Sequence, residues 1–372
     1  MDHCRTPHGG TEQHLLWLFN SLDPERFEKF FVVFSQLDCP PDVFPVPPLV
    51  LGRMYGNRKR SLFRRFRALV RYLCDNRIDL IHAFTPNDEV LACYAAMFAR
   101  RNRGQRIPVV GHRRNLGYAM GNKHFLMRRL TKRFDIAYLA NSRAAVEAAL
   151  EKEGIPRERL TVIPNPFSRS RWEAGRASLL SRQELGLDAN DFVVGSVATI
   201  RRIKGYETLV QAARLVVDKH PNARFLCIGG VDDMPYLDEL QSLAAALGLE
   251  RRIVWYGDMD NPFRVLPIFD VAVLSSDSES FSNSVLEYAA AGLPIVASEV
   301  GGMSEIVTDG ENGFLVPPRQ PERLAEKIIT LIENPELRRT FAEGAAETAR
   351  RNFDESVILL RYTGFYENLC GK

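Results

Sequence analysis

Residues 278–302 read SESFSNSVLEYAAAGLPIVASEVGG. Val285, Leu286, Ala289 and Ala290 recur at helical spacing, and PIVAS (294–298) is a short apolar β-type run. Ser282 or Asn283 supplies an N-cap, and Gly292 with Pro294 ends the helix. With VAVLSS (271–276) ahead of it, the stretch predicts a strand–loop–helix–strand unit, the building block of parallel α/β sheets. Two carboxylates interrupt this core-like unit: Glu279 at the helix start and Glu287 in its second turn. If the whole segment were helical, their eight-residue separation would span roughly 12 Å. The plain alternative makes Glu279 a polar loop tip and Glu287 a solvated helix residue.

The same alternation runs outward in both directions. Strands are predicted at 29–35, 80–84, 107–112 and 136–142, and again at 192–198, 224–230, 252–257, 271–276 and 294–298. Helices fall at 61–74, 88–100, 143–153, 205–219, 235–247, 283–291 and 321–333. The periodicity breaks at VIPNPFSRSRWEAGRAS (162–178), where prolines and polar residues mark a joint. The fold class is α/β, with two doubly wound, parallel-sheet, Rossmann-like domains facing across a cleft. The first covers 1–165 and is joined by a C-terminal helix at 353–372; the second covers 166–352. No strand-like run precedes the Gly9-Gly10 loop, so the expectation is that the first strand is missing from this chain or that another segment takes its place.

A length of 372 residues agrees with two domains, and 45% hydrophobic with 26% charged residues is ordinary globular composition. Six scattered cysteines without a CxxC pair argue against a zinc or redox motif and for a reducing compartment. There is no apolar run near the length of a membrane span and no signal-peptide core, so the expected location is cytoplasmic. The net charge of +3 conceals an asymmetry. Residues 1–165 hold 27 Lys and Arg against 16 Asp and Glu, a balance of +11, while the remainder is at −8. Such a split points to an anionic partner for the first half.

The second chemistry-bearing stretch is ATIRRIKGYETLVQAARLV (198–216). A basic loop with Arg201, Arg202 and Lys204 joins a strand end to a helix start, a position that favours anions. Arg as a bidentate fork and Lys as a point charge suit a diphosphate; the alternative is a solvated basic turn. The loop after 271–276 also lies at a strand's carboxyl end, so helix N–H groups at 281–284 would face the same crevice. Carboxylates accept hydrogen bonds from vicinal hydroxyls, which fits Glu287 holding a ribose and Glu279 a sugar.

Taken together, these segments resemble the retaining glycosyltransferases of group 1, which have the GT-B architecture. The Glu-x7-Glu motif of that family is similar to 279–302 almost throughout. GGMSEIVTDGENGFLVPP (301–318), the segment ending VIPNPF, and GGTEQHLLWLF (9–19) are also similar to family segments. The resemblance implies Arg201 and Lys204 on the donor diphosphate, where they count as catalytic because charge grows there in the transition state. It implies Glu287 on the ribose and Glu279 on the transferred sugar. Phe281, Ser282 and Asn283 would lie near phosphate, and Gly9 and Gly10 would approach the donor. Three departures stand out. Thr199 occupies a position where family members often carry Arg. The family histidine near the end of 107–112 falls on Arg114, leaving both His112 and Arg114 as candidates. The third is the absent first strand.

The expected activity is transfer of a sugar from a nucleotide-diphosphate sugar, of UDP or GDP type, to a glycan, lipid-linked or small-molecule acceptor in polysaccharide or lipopolysaccharide synthesis. No tightly bound cofactor and no metal are expected, although the Asp-x-Asp of 258–260 superficially resembles a metal motif. The alternatives are a nucleotide-sugar epimerase on the same fold, or a non-catalytic nucleotide-sugar or nucleic-acid binder. No nucleic-acid motif supports the last, and no GxGxxG supports a dehydrogenase. Between Arg53 and Arg71 lie eight basic residues. On a helix Leu62, Phe66, Leu69 and Leu73 share one face, and Arg60, Arg64, Arg67 and Arg71 the opposite one. That pattern fits either a solvated back or peripheral contact with an anionic membrane, and Arg-rich runs at 100–106 and 128–133 add to it.

Overall fold

The computed structural model describes residues 3–4, 10–33, 36–37, 46–51, 58–99, 106–116 and 129–371; residues 3–4, 10–12, 36–37 and 58–62 are described by backbone alone. The chain divides into two compact units, Met1–Asn165 with Ile358–Lys372, and Pro166–Val357.

In the first unit, β1 (His3–Cys4) pairs in parallel with β3 (Gln36–Leu37), and β2 (Val32–Val33) with β4 (Leu49–Val50). β5 (Ile81–Ala83), β6 (Val109–Arg113), β7 (Ile136–Ala140) and β8 (Leu160–Val162) form a parallel sheet in that order. The expectation of a chain without a strand before its first loop is therefore corrected by β1. Two residues show no alternation in a sequence, and β1 exists only through pairing with a segment far along the chain. Helices α1 (Gly10–Ser21), α2 (Arg58–Asp75), α3 (Pro86–Phe98) and α4 (Arg143–Glu153) connect the strands. α3 starts where local chemistry dictates: the Thr85 hydroxyl accepts from the Asp88 N–H and the Asp88 carboxylate accepts from the Thr85 N–H. On α2, Leu69 and Leu73 are buried while Arg64, Arg67 and Arg71 are exposed. Residues 53–57 and the side chains of Arg60 and Leu62 lie outside the described set, as do 100–105 and 128.

The second unit holds one parallel sheet: β9 (Phe192–Val197), β10 (Ala223–Ile228), β11 (Ile253–Gly257), β12 (Val271–Leu274), β13 (Ile295–Ser298) and β14 (Phe314–Val316). Its spatial order is β11-β10-β9-β12-β13-β14. β12 and β13 are buried at every position, which is why they read as unbroken apolar runs. The helices are α5 (Arg169–Arg176), α6 (Tyr206–Lys219), α7 (Met234–Ala246), α8 (Asn283–Ala290), α9 (Pro321–Glu333) and α10 (Pro335–Phe353). The last helix, α11 (Glu355–Cys370), belongs from Ile358 onward to the first unit, where Ile358, Tyr362 and Tyr366 pack with Leu18, Leu22, Val110 and Leu139. The second unit thus ends at Val357 rather than 352. Phe353 packs on Phe281 at 5.7 Å between centroids, and Asp354 accepts from Arg169 at 2.6 Å, which keeps both with the second unit. Among the described residues no helix is long and apolar enough to cross a membrane.

Candidate active site

In the second sheet, β10 and β11 are added on one side of β9, and β12, β13 and β14 on the other. The loops after β9 (198–205) and after β12 (275–282) leave neighbouring carboxyl ends where the order reverses. In open α/β sheets that is the place where a ligand crevice forms.

The two loops are fastened together. Gly205 adopts φ +62°, and a Cβ there would overlap the Ser275 carbonyl oxygen. Ser275 Oγ donates to the Gly205 carbonyl at 2.9 Å, and the Asp277 N–H donates to the Ile203 carbonyl at 2.9 Å. The Tyr206 hydroxyl holds the Ala198 carbonyl at 2.6 Å. This packing brings Lys204 against Glu279: Nζ donates to Oε1, and Ser276 Oγ donates to the same oxygen at 2.9 Å. The two side chains are 13% and 12% exposed. Arg201 is exposed and makes no side-chain hydrogen bond or ion pair with the described residues. Arg202 turns aside, donating to Glu239 at 2.7 Å and lying 4.8 Å from the Tyr236 ring centre.

α8 begins at Asn283 with Ser282 as its cap, the Ser282 Oγ accepting from the Val285 N–H at 3.3 Å. Phe281 is buried. Glu279 thus precedes the helix, and the 12 Å helical spacing does not describe the Glu279–Glu287 relation. Tyr288 reaches the end of β9, its hydroxyl accepting from the Val197 N–H at 2.6 Å.

Glu287 has a partner that sequence reading missed. Arg171 of α5 donates to Glu287 Oε1 at 3.1 Å and, with Nη2, to the Asp260 carbonyl at 3.1 Å. Asn261 Nδ2 returns a bond to the Arg171 carbonyl at 2.6 Å. Burial raises the Glu287 pKa above the usual carboxylate value, and the Arg171 charge opposes the rise. The Asp-x-Asp at 258–260 is engaged locally: Asp258 accepts from the Met259 N–H at 2.9 Å, and Asp260 offers its backbone carbonyl to Arg171. Among the described residues no group of three or more His, Cys, Asp or Glu is arranged to hold a metal ion.

In the first unit, Gly9 lies outside the described residues, and Gly10 opens α1. His112 is buried at the end of β6, and neither ring nitrogen has a hydrogen-bond partner among the described residues. His14 and His82 crowd it, with ring centres at 5.7 and 5.1 Å. They bond the Tyr362 and Tyr366 hydroxyls at 2.9 and 2.8 Å. Burial, reinforced by the Arg114 charge, pushes the pKa of all three histidines down, His82 to about 3. The half-buried Arg114 is thus close to the cluster. The neighbouring Arg113 has a different job: buried, it donates to Glu89 at 2.9 Å and Glu153 at 2.7 Å and lies 4.7 Å from the Tyr138 ring centre. Gly111 leaves room for this network, since a Cβ there would stand 2.7 Å from Tyr138 and 2.8 Å from Glu89.

Comparison with known proteins bears on this geometry. The family model described as Glycosyl transferases group 1 matches residues 179–348, and that described as Glycosyltransferase Family 4 matches 8–171. The provisionally named glycosyltransferase EpsD of Bacillus subtilis (strain 168) is 28% identical over 293 residues, covering 77% of this chain and 76% of EpsD. The D-inositol 3-phosphate glycosyltransferase of Corynebacterium glutamicum (strain R) is 33% identical over 181 residues, covering 47% of this chain and 43% of that enzyme. Beyond EpsD, the chain spans about half the length of the curated relatives it matches. Anabaena Alr3699/HepE, solved in complex with UDP, superposes with a TM-score of 0.83 at 25% identity, covering 99% of this chain and 98% of HepE. The sucrose-phosphate synthase of Thermosynechococcus elongatus, at 20% identity, shares the fold with a TM-score of 0.77 over the whole chain. With a parallel α/β unit on either side of residue 165 and family matches from 8 to 348, the chain belongs to the group 1 glycosyltransferases and has the GT-B fold.

Proposed function

We propose that the protein transfers a sugar, with retention of anomeric configuration, from a UDP-type sugar nucleotide to a glycan or lipid-linked acceptor. The observation that carries this reading is the Lys204–Glu279 pair at the strand-order reversal, beside the start of α8. HepE, a close structural match, has been solved with UDP and with UDP-glucose, which supports a uridine donor here. In this reading Lys204 leaves Glu279 for the donor diphosphate, and the freed carboxylate accepts hydrogen bonds from the sugar hydroxyls. Arg201, exposed at the head of the same loop, adds a second positive charge to the diphosphate. Glu287, oriented by Arg171, accepts from the ribose hydroxyls. Phe281, Ser282 and Asn283 set the start of α8 beside the phosphates. The bond between the anomeric carbon and the diphosphate oxygen breaks as the acceptor oxygen bonds the same face. The departing phosphate oxygen takes the acceptor's proton. Lys204 and Arg201 stabilise the charge that grows on the leaving group, so they contribute mainly in the transition state.

In this reading His112, Arg114, Gly9 and Gly10 keep the roles that the family resemblance implies. The acceptor reading draws on the exposed Arg64, Arg67 and Arg71 of α2, which suit an anionic membrane surface. The test is a panel of UDP, GDP and ADP sugars assayed for transfer and hydrolysis, with the anomeric configuration of the product read by NMR. Stabilisation by UDP and a retained configuration are expected. No turnover and no thermal stabilisation with any nucleotide diphosphate would sink the reading.

A further inference from the structure

We propose that Arg319 is a positioning residue for the Lys204–Glu279 pair, acting through Asp277; the inference rests on the donor-site reading above. Arg319 lies in the turn between β14 and α9, with φ +60°. Among the described residues, only Arg77 and Arg319 are non-glycine residues at positive φ. The Arg319 Nε and Nη2 both donate to Asp277 Oδ2, at 2.9 and 2.7 Å. Asp277 Oδ1 is buried and accepts no hydrogen bond from the described residues. Through its backbone N–H the same Asp277 holds the Ile203 carbonyl, one residue before Lys204, and it stands two residues before Glu279. Asp277 is thus a joint between the two loops that carry the pair, and Arg319 grips that joint from outside.

Stability does not account for an arginine here. Its side chain is 77% exposed, and an exposed ion pair returns no more free energy than the left-handed backbone costs a residue with a Cβ. Glycine would adopt the turn without that cost, but it has no side chain to hold Asp277. What the arginine provides is geometry. A forked donor on one carboxylate oxygen fixes Asp277, and displacements of the order of an ångström at a catalytic group cost about 10²-fold in rate.

The test compares the whole protein with its Arg319→Gly and Arg319→Lys variants. Donor kcat and KM, Tm, and amide hydrogen exchange over 203–205 and 275–280 are measured. For Arg319→Gly we expect kcat reduced about 10-fold. Donor KM should stay close to wild type, Tm unchanged or higher, and exchange faster at the Asp277 amide. Arg319→Lys, with one donor in place of a fork, should restore part of kcat. Wild-type kcat in Arg319→Gly, a Tm that falls together with kcat, or unchanged exchange would each overturn the proposal. If the wild-type protein turns over no sugar nucleotide, the donor reading fails separately, and the exchange comparison still decides whether the clamp holds the loops.

Discussion

Lys204 donates to Glu279 Oε1, so these two charges neutralise each other. Neither member of this largely buried pair carries an unpaired charge, and in the proposed reading donor binding exchanges Glu279 for the diphosphate as the partner of Lys204. Lys204→Ala should lower kcat by about 10²- to 10³-fold, the scale of losing one transition-state charge contact. It also strands a largely buried carboxylate, so stability falls too. The double variant Lys204→Met/Glu279→Gln separates the effects: Tm should recover towards wild type while kcat stays low.

Donor affinity should carry a pH signature from Glu287. In the proposed reading its ionised carboxylate accepts the ribose hydroxyls, and burial has raised its pKa. Donor 1/KM should therefore fall as pH drops through that raised value. Arg171→Met removes the opposing charge and should move the acid limb to higher pH. Glu287→Ala should raise donor KM by about 10-fold or more, as expected for a lost charged hydrogen bond.

The first unit should be acid-sensitive. His14, His82 and His112 are held neutral when folded, with pKa below 6.5, whereas the unfolded chain takes up protons near that value. Their stabilising contribution is complete above about pH 6.5 and is lost as pH falls towards the His82 value of about 3. Each histidine removes about 1.4 kcal/mol per pH unit in that window. Urea unfolding between pH 7 and 5 should show the loss, and His82→Gln should reduce its slope by one proton.

Buried and exposed ion pairs should separate cleanly. Glu89→Ala removes a partner of the buried Arg113 and should cost about 3–5 kcal/mol. Arg323→Ala, which breaks the exposed i,i+3 pair with Glu326, should leave Tm unchanged. Thermal unfolding of the two variants side by side decides the point.

Gly205→Ala forces a Cβ against the Ser275 carbonyl at a left-handed φ. A cost of about 1–3 kcal/mol from the backbone alone is expected, with loss of transfer as the loops part. Calorimetry and donor turnover measured on the same preparation check both effects.

How much of this was legible depended on whether the information was local. β12, β13 and α8 announce themselves because burial on both faces of a parallel strand leaves a continuous apolar run, and helical spacing follows it. Lys204 and Glu279 could be singled out because they sit on loops at strand carboxyl ends, and Glu287 because it is a carboxylate in the second turn of an otherwise apolar helix. Arg171 was not: it lies in the stretch read as a joint, and only the fold carries it 116 positions to Glu287. β1 and β3 escaped for the same reason, being two residues each and defined by one another. The basic loop at 201–204 looked uniform in sequence, yet its arginines diverge. Arg202 is tied to Glu239 while Arg201 is left in solvent, a distinction set by α7 rather than by spacing.

The route of α11 decides the order in which this chain finishes folding during synthesis. The second unit is one unbroken run, complete at Val357. The first unit closes its core only when Tyr362 reaches His14 and Tyr366 reaches His82. Domains fold as units while the ribosome adds residues, usually from the N-terminus onward. Here the part made first is sealed last: the N-terminal half closes its core only with a segment made after the whole of the second unit.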